Sequence, residues 1–389
     1  MGEARLETGV HGHEIYTYDY EKALLPGTDS GAGMWRYQRL LPRPDEPTMY
    51  PLPVGGTPLR TTREIRQRLG MRGLWLKDET KGPSASNKDR ATALVIDQGL
   101  RTGVGVISTA STGNAAVSTA IGGAAAGIAV VIFVPVDCAP AKVEMMAAMG
   151  AYVFRVCEGY RAAFELSRRA AAHFHWMDRC TGLNPLTIEA KKTASFEVWE
   201  QLGDRAPDVV TVPVGDGVTL IGAAKGFQEL VACGVAAKVP RLIGVQAQSC
   251  APVAARWHGT PVPAQWPGTV ADGIEVPEPM LTDWTIDEVR RTDGDFVTVT
   301  DAEILDAVEL LSDAAQITSE PAGATSLAGL RQATATGLVS PDETAVAWVT
   351  GANLPSPPVR AARPGAVFTI SAGLDAVAFA LAGTPVPVS

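Results

Sequence analysis

The chain has 389 residues, a formal net charge of -9, 46% hydrophobic and 19% charged residues. That length supplies a sizeable core and room for two domains, and that composition excludes a disordered or fibrous chain. An acidic balance without any basic run excludes a nucleic-acid partner.

In chain order, residues 1–50 read as an irregular arm, since Pro26, Pro42, Pro44 and Pro47 interrupt any long element. Asp19, Glu21 and Asp29 do not fit a signal peptide. A turn at Gly55-Gly56-Thr57-Pro58 leads into a helix over about 61–69 and a short strand at 73–77. From Arg90 on, the pattern alternates. Helices over about 88–101, 113–126, 140–149 and 161–173 interleave with strands at 105–108, 129–134 and 150–156. A helix over 191–202 then precedes a strand at 209–214, a glycine loop, another helix and a strand at 242–246. Residues 251–298, rich in Pro, Gly and Trp, read as loop-heavy. Helices at 301–314 and 321–332, a strand at 344–349 and a helix at 374–381 complete the chain.

Short βα units of this kind imply parallel sheets with right-handed crossovers. We expect an α/β fold of two parallel-sheet sub-domains with a ligand cleft between them. The boundaries read as 1–99 for the arm and the first part of a large domain, 100–190 for a small mobile sub-domain, and 191–389 for the rest of the large domain. The uncharged stretch 103–136 is broken by Gly, Ser, Thr and Asn, so it reads as a buried strand–loop–helix–strand and not as a membrane span. The five scattered cysteines suit reduced thiols in a cytoplasmic chain. The pairs His11/His13 and His173/His175 have no supporting acidic or cysteine cluster, so no metal is expected.

Four stretches carry chemistry. Lys88 follows Pro83-Ser84-Ala85-Ser86-Asn87 and opens a helix, a setting suited to an amine that forms a Schiff base with an aldehyde cofactor; a solvated surface lysine is the plain alternative. Ser111-Thr112-Gly113-Asn114 joins a strand to a helix, where hydroxyls and backbone N–H groups suit a carboxylate and Asn114 offers an amide, although ordinary helix capping explains the same residues. Gly215-Asp216-Gly217-Val218-Thr219 is a strand–loop–helix turn able to curl around a phosphate, or simply a tight turn. It is neither a P-loop nor the GxGxxG of dinucleotide folds. Val349-Thr350-Gly351-Ala352-Asn353 ends a strand, and the Thr350 hydroxyl there suits a pyridine nitrogen, favouring elimination and replacement over transamination, although a plain β-branched strand residue explains it equally.

Together these motifs resemble the fold-type II, tryptophan-synthase-β-like enzymes that use pyridoxal 5'-phosphate, and among them the threonine synthases. The family's PTGSFKDR stands here as Pro83-Ser84-Ala85-Ser86-Asn87-Lys88-Asp89-Arg90, and its STGN as Ser111-Thr112-Gly113-Asn114. Asn184-Pro185, Glu189, Lys192-Thr193, Phe196-Glu197, Lys225-Gly226-Phe227 and Glu320-Pro321 continue the likeness in order. The resemblance implies that Lys88 holds the cofactor and moves the substrate's α-proton. It implies that Asn114 meets the cofactor's 3-hydroxyl, that Gly215, Asp216, Gly217, Val218 and Thr219 meet its phosphate, and that Thr350 meets its ring nitrogen. Ser86, Asn87, Ser111, Thr112 and Thr187 are the implied substrate contacts, and a homodimer is the implied assembly.

Three departures are visible. Thr187 stands where an arginine usually binds the phosphate of O-phosphohomoserine, Asn87 stands where a phenylalanine is usual, and the last motif reads Gly-Ala-Asn-Leu-Pro where Gly-x-Gly-Leu-Lys is usual. The expected activity is therefore β- or γ-elimination or replacement on an L-amino acid with an altered substrate. A serine/threonine-type ammonia-lyase, a cysteine- or cysteate-type synthase and a non-catalytic paralogue are the alternatives.

Overall fold

The computed structural model describes residues 4–22, 33–352 and 365–387. They form two compact units: one of residues 4–22, 33–44, 55–87 and 188–352, the other of residues 45–54, 88–187 and 365–387.

The first unit is built on a six-stranded sheet in the spatial order Asp295–Val299, Arg241–Ala247, Val209–Pro213, Thr344–Val349, Gly73–Asp78, Leu59–Arg60. Every pairing is parallel except the last, where Leu59–Arg60 runs antiparallel to Gly73–Asp78. Val209–Pro213 is buried at every position, the unbroken apolar run of a strand covered on both faces. The helix Asp301–Ala315 begins with a capping box, in which Thr300 and Glu303 satisfy each other's backbone N–H groups.

The second unit carries a five-stranded, wholly parallel sheet in the order Val367–Ile370, Tyr152–Val156, Ala129–Pro135, Val106–Ala110, Met177–Asp178. Two sheets of parallel strands interleaved with helices agree with the expected α/β class. No helix of the described residues is long and apolar enough to cross a membrane.

The division differs from the expected boundaries at three places. The helix Lys88–Thr102, residues 45–54 and the C-terminal residues 365–387 all belong to the second unit. The C-terminal strand Val367–Ile370 joins that sheet by pairing with Tyr152–Val156, more than two hundred residues earlier. Such pairing is non-local and leaves no periodicity to read. Residues 251–298 are also more ordered than their composition suggests, containing the helices Pro252–His258 and Thr282–Arg291 and the edge strand Asp295–Val299. In the N-terminal arm, Arg5–Thr8 pairs antiparallel with Glu14–Thr17, and Met34–Leu40 forms a 3-10 helix.

Buried charge pins the first unit internally. Lys77, on a central strand and fully buried, donates to Thr57 O at 2.7 Å, Glu197 Oε2 at 2.7 Å and Gln201 Oε1 at 3.1 Å. Glu197 also accepts from the Gly56 N–H at 2.8 Å, so one ion pair joins the 55–57 turn, a strand and the helix Leu186–Gln201. Removing one partner of a buried pair strands the other charge. Glu197→Ala should therefore lower the unfolding free energy by about 3–5 kcal/mol, read from urea melts by circular dichroism; a loss under about 1 kcal/mol would show that the pair does not hold the unit.

Candidate active site

In the first sheet the chain leaves Val209–Pro213 for Arg241–Ala247 on one side, while Thr344–Val349 lies on the other. A reversal of this kind opens a crevice beyond the carboxyl ends of the two central strands, where ligands of open α/β sheets bind. Both ends carry expected site residues: residues 215–219 follow one strand and Thr350 follows the other.

Gly217 caps the helix Val218–Ala232 in the left-handed region (φ 90, ψ −17), with no side chain to cap the first-turn N–H groups. Those groups and the helix dipole make the turn a receptor for an anion. Packing demands glycine at 217 and leaves little room at 215. A Cβ on Gly217 would stand 1.9 Å from Thr285 Oγ1, and one on Gly215 would stand 3.2 Å from Ile274 Cα. Thus two elements of the 251–298 segment, the turn Asp272–Ile274 and the helix Thr282–Arg291, brace the loop from outside. Thr219 Oγ1 accepts from Asn87 Nδ2 at 3.2 Å and from Lys191 Nζ at 3.2 Å. Asn87 was an expected site residue; Lys191 was not.

The residues just before Lys88 are fixed to the end of Thr344–Val349. Ser86 bridges Gly351, the Asn87 N–H donates to Thr350 O at 2.9 Å, and the Ala352 N–H donates to Ala85 O at 2.9 Å. Ala85 adopts φ 55 to make this turn. Gly351 is enclosed, since a Cβ there would lie 3.0 Å from Glu320 Oε1 and 3.3 Å from Ser86 Oγ. The first unit therefore brings together residues 215–219, Thr350, Ser86 and Asn87. Asn353 lies outside the described residues.

Lys88, Ser111, Thr112, Asn114 and Thr187 belong to the second unit. Lys88 is half-buried and opens the helix Lys88–Thr102, and its carbonyl accepts from Arg179 Nη2 at 3.2 Å. Arg179 is fully buried and also donates to Thr92 Oγ1 at 3.1 Å and Thr181 Oγ1 at 2.6 Å. Burial pulls its guanidinium down to about 10, which leaves it charged at neutral pH. Arg179 was not an expected site residue, and its neighbours in the chain, Asp178 and Cys180, give no sign of its burial.

The second sheet has its own reversal. Val106–Ala110 continues to Ala129–Pro135 on one side and is flanked by Met177–Asp178 on the other. Residues 111–114 lie at its carboxyl end, where the Gly113 N–H donates to Ser111 Oγ at 3.2 Å and the helix Asn114–Ala126 starts without a side-chain cap. Cys180 Sγ accepts from the Ala110 N–H at 3.4 Å, and burial pushes this thiol up to about 12, so it stays neutral. Thr187 is fully buried, and its hydroxyl is directed at the carbonyls of Thr181 (2.7 Å) and Asn184 (2.8 Å). It closes a helix start, and its single proton is engaged by backbone.

Behind the loop, the helices Leu186–Gln201 and Val218–Ala232 share a buried charged cluster. Lys192 pairs with Glu189 and Glu229, Lys225 pairs with Glu229, and Tyr18 donates to Glu189 Oε2 at 2.6 Å. Burial depresses the Lys192 ammonium, whereas at Lys225 the downward pull of burial is exceeded by Glu189 and Glu229, so that ammonium is raised. Burial and the adjacent Glu189 push the Tyr18 phenol well up, keeping it a donor.

The chain is similar to known proteins over most of its length. The family described as "Pyridoxal-phosphate dependent enzyme" matches residues 50–351. A threonine synthase of Methanosarcina acetivorans is 34% identical over 83% of this chain and 80% of its own, and one of Methanocaldococcus jannaschii is 32% identical over 84% and 81%. Among solved structures, the processed form of threonine deaminase isoform 2 from Solanum lycopersicum superposes with a TM-score of 0.65 at 24% identity, over 77% of this chain and 84% of that one.

The loop's need for glycine is directly testable. Gly217→Ala forces a side chain into a left-handed backbone position and against Thr285, and should destabilise the protein by about 1–3 kcal/mol. The purified variant should also retain less cofactor than wild type, measured as visible absorbance per protein after gel filtration. Unchanged stability and retention would show that the turn tolerates other geometries.

Proposed function

The chain belongs to the pyridoxal-phosphate-dependent enzyme family, and on that premise we propose that it catalyses elimination or replacement on an L-amino acid other than O-phosphohomoserine. The observation that carries the reading is the pairing of an anion-receptive loop, residues 215–219, with the Thr350 hydroxyl at the carboxyl ends of adjacent strands. The residues fit the cofactor: a helix start left uncapped behind two glycines suits its phosphate, and a lysine at a helix start suits its aldehyde.

Lys88 is the amine that would hold the cofactor, and once released it would carry the proton from the substrate's Cα. The bound cofactor supplies an electron sink for the carbon so deprotonated. Thr350, a hydroxyl and not a carboxylate, would leave the ring nitrogen without an enforced proton, which favours loss of a β- or γ-substituent over amino-group transfer. Asn114 would meet the 3-hydroxyl. Ser111 and Thr112, at an uncapped helix start, would take the substrate carboxylate. Arg179 would hold the first turn of the lysine's helix by its grip on the Lys88 carbonyl.

Thr187 directs the choice of substrate. The usual arginine offers a charge-assisted fork to a phosphate, whereas this hydroxyl is buried and bonded to backbone carbonyls. A serine- or threonine-type ammonia-lyase, whose substrate carries no phosphate, is the second reading this observation favours. Five cysteines without a disulfide suit a reducing cytoplasm, and the family resemblance supports a homodimer.

Two measurements test the reading. Lys88→Ala should lose the visible absorbance of covalently held cofactor and all turnover. With wild type, threonine formation from O-phospho-L-homoserine should have a kcat/KM at least about 100-fold below that of the preferred substrate, the effect of losing roughly 3 kcal/mol of charge-assisted contact. Efficient threonine formation would overturn the altered-substrate reading, and release of a 2-oxo acid and ammonia from serine or threonine would establish the second.

A further inference from the structure

Three lysines line the two helices behind the loop, and they differ in what they face. Lys192 and Lys225 are paired with Glu189 and Glu229. Lys191, only 4% exposed, sends its Nζ to Thr219 Oγ1, inside the first turn of the helix Val218–Ala232. The close approach is built in. A Cβ on Gly222 would stand 2.9 Å from Lys191 Cβ, so the glycine lets the two helices meet where Lys191 projects. Asn87 Nδ2 donates to the same Thr219 oxygen, which therefore accepts from two donors at 3.2 Å and has its own proton to direct elsewhere.

Helix N-terminal amides bring only a partial positive charge to a phosphate dianion. An ammonium one hydroxyl away adds a full one. We propose that Lys191 is a cationic ligand for the phosphate monoester at the N-terminus of the helix Val218–Ala232, making the loop a charged site as well as a backbone one. The source of that monoester is the cofactor, so the inference rests on the assignment of residues 215–219 to the cofactor phosphate.

The experiment compares pyridoxal phosphate with pyridoxal, which has no phosphate, for binding to the protein stripped of cofactor. Lys191→Gln should weaken pyridoxal phosphate about 10- to 100-fold, the scale of one lost charge-assisted contact, and pyridoxal by less than about threefold. Lys191→Arg, which keeps the charge, should stay within about fivefold of wild type for both. Equal weakening of both ligands by Lys191→Gln would mean a purely structural lysine and overturn the inference, as would an unchanged preference for the phosphorylated form. A wild-type protein that binds both ligands equally would instead overturn the loop assignment, and with it the inference. A measurement that needs no variant is acetylation of the wild-type apo-protein by acetic anhydride, followed by mass spectrometry. Inorganic phosphate should slow modification of Lys191 and leave that of Lys142 unchanged, and failure to protect Lys191 would count against the proposal.

Discussion

Two backbone hydrogen bonds hold the stretch of the first unit that ends at Asn87. Asn87 N–H to Thr350 O and Ala352 N–H to Ala85 O weld the stretch before the lysine to the end of the strand Thr344–Val349. That strand is in parallel register with Val209–Pro213, whose carboxyl end turns into residues 215–219. The turn over residues 85–87, Thr350 and the loop are thus referred to one pair of strands. A parallel sheet covered on both faces is among the stiffest frames available, so positions set by its register hold without side-chain adjustment. The cost is local: Ala85 takes a left-handed conformation that alanine rarely adopts, and a side chain at Gly351 would press on Glu320 and Ser86.

Charge is arranged in the same spirit. Lys77 with Glu197, and Lys192 and Lys225 with Glu189 and Glu229, are taken out of water around the helix Leu186–Gln201. Buried pairs of this type add little net stability over apolar packing, but they penalise any arrangement that separates the partners. Here they hold the helix that delivers Lys191 to the loop in one register against the helix Val218–Ala232. Tyr18 closes the cluster from the N-terminal segment, which gives that segment a part in ordering the surroundings of the loop. Arg179 does comparable work in the second unit, where a single guanidinium gathers Thr92, Thr181 and the Lys88 carbonyl.

Thr187 shows how one replacement changes a residue's allegiance. An arginine at that position would be long enough to leave the helix start and meet a ligand. A threonine is too short, and its hydroxyl turns back to the carbonyls of Thr181 and Asn184. The position keeps a role in shaping the chain, with its hydroxyl engaged by backbone.

Much of this was legible in the sequence because it is local. Alternating strand and helix periods gave the α/β class and most element limits, and helix starts rich in Ser, Thr, Asn and Gly marked Lys88, residues 111–114 and residues 215–219. The order of motifs carried the family. What only the tertiary structure decided is non-local. Strand pairing placed the C-terminal Val367–Ile370 beside Tyr152–Val156, and it set the reversals that put the loops at strand ends of the same sheet. The segment 251–298, irregular by composition, braces Gly215 and Gly217 because Ile274 and Thr285 fold against them. Lys191 and Arg179 gave no sign of their surroundings in sequence, because a lysine or arginine reads as solvated until the fold buries it. The sequence determined which residues start helices and turn between strand and helix, since that depends on neighbours in the chain; the fold decided which charges face them, since that depends on neighbours in space.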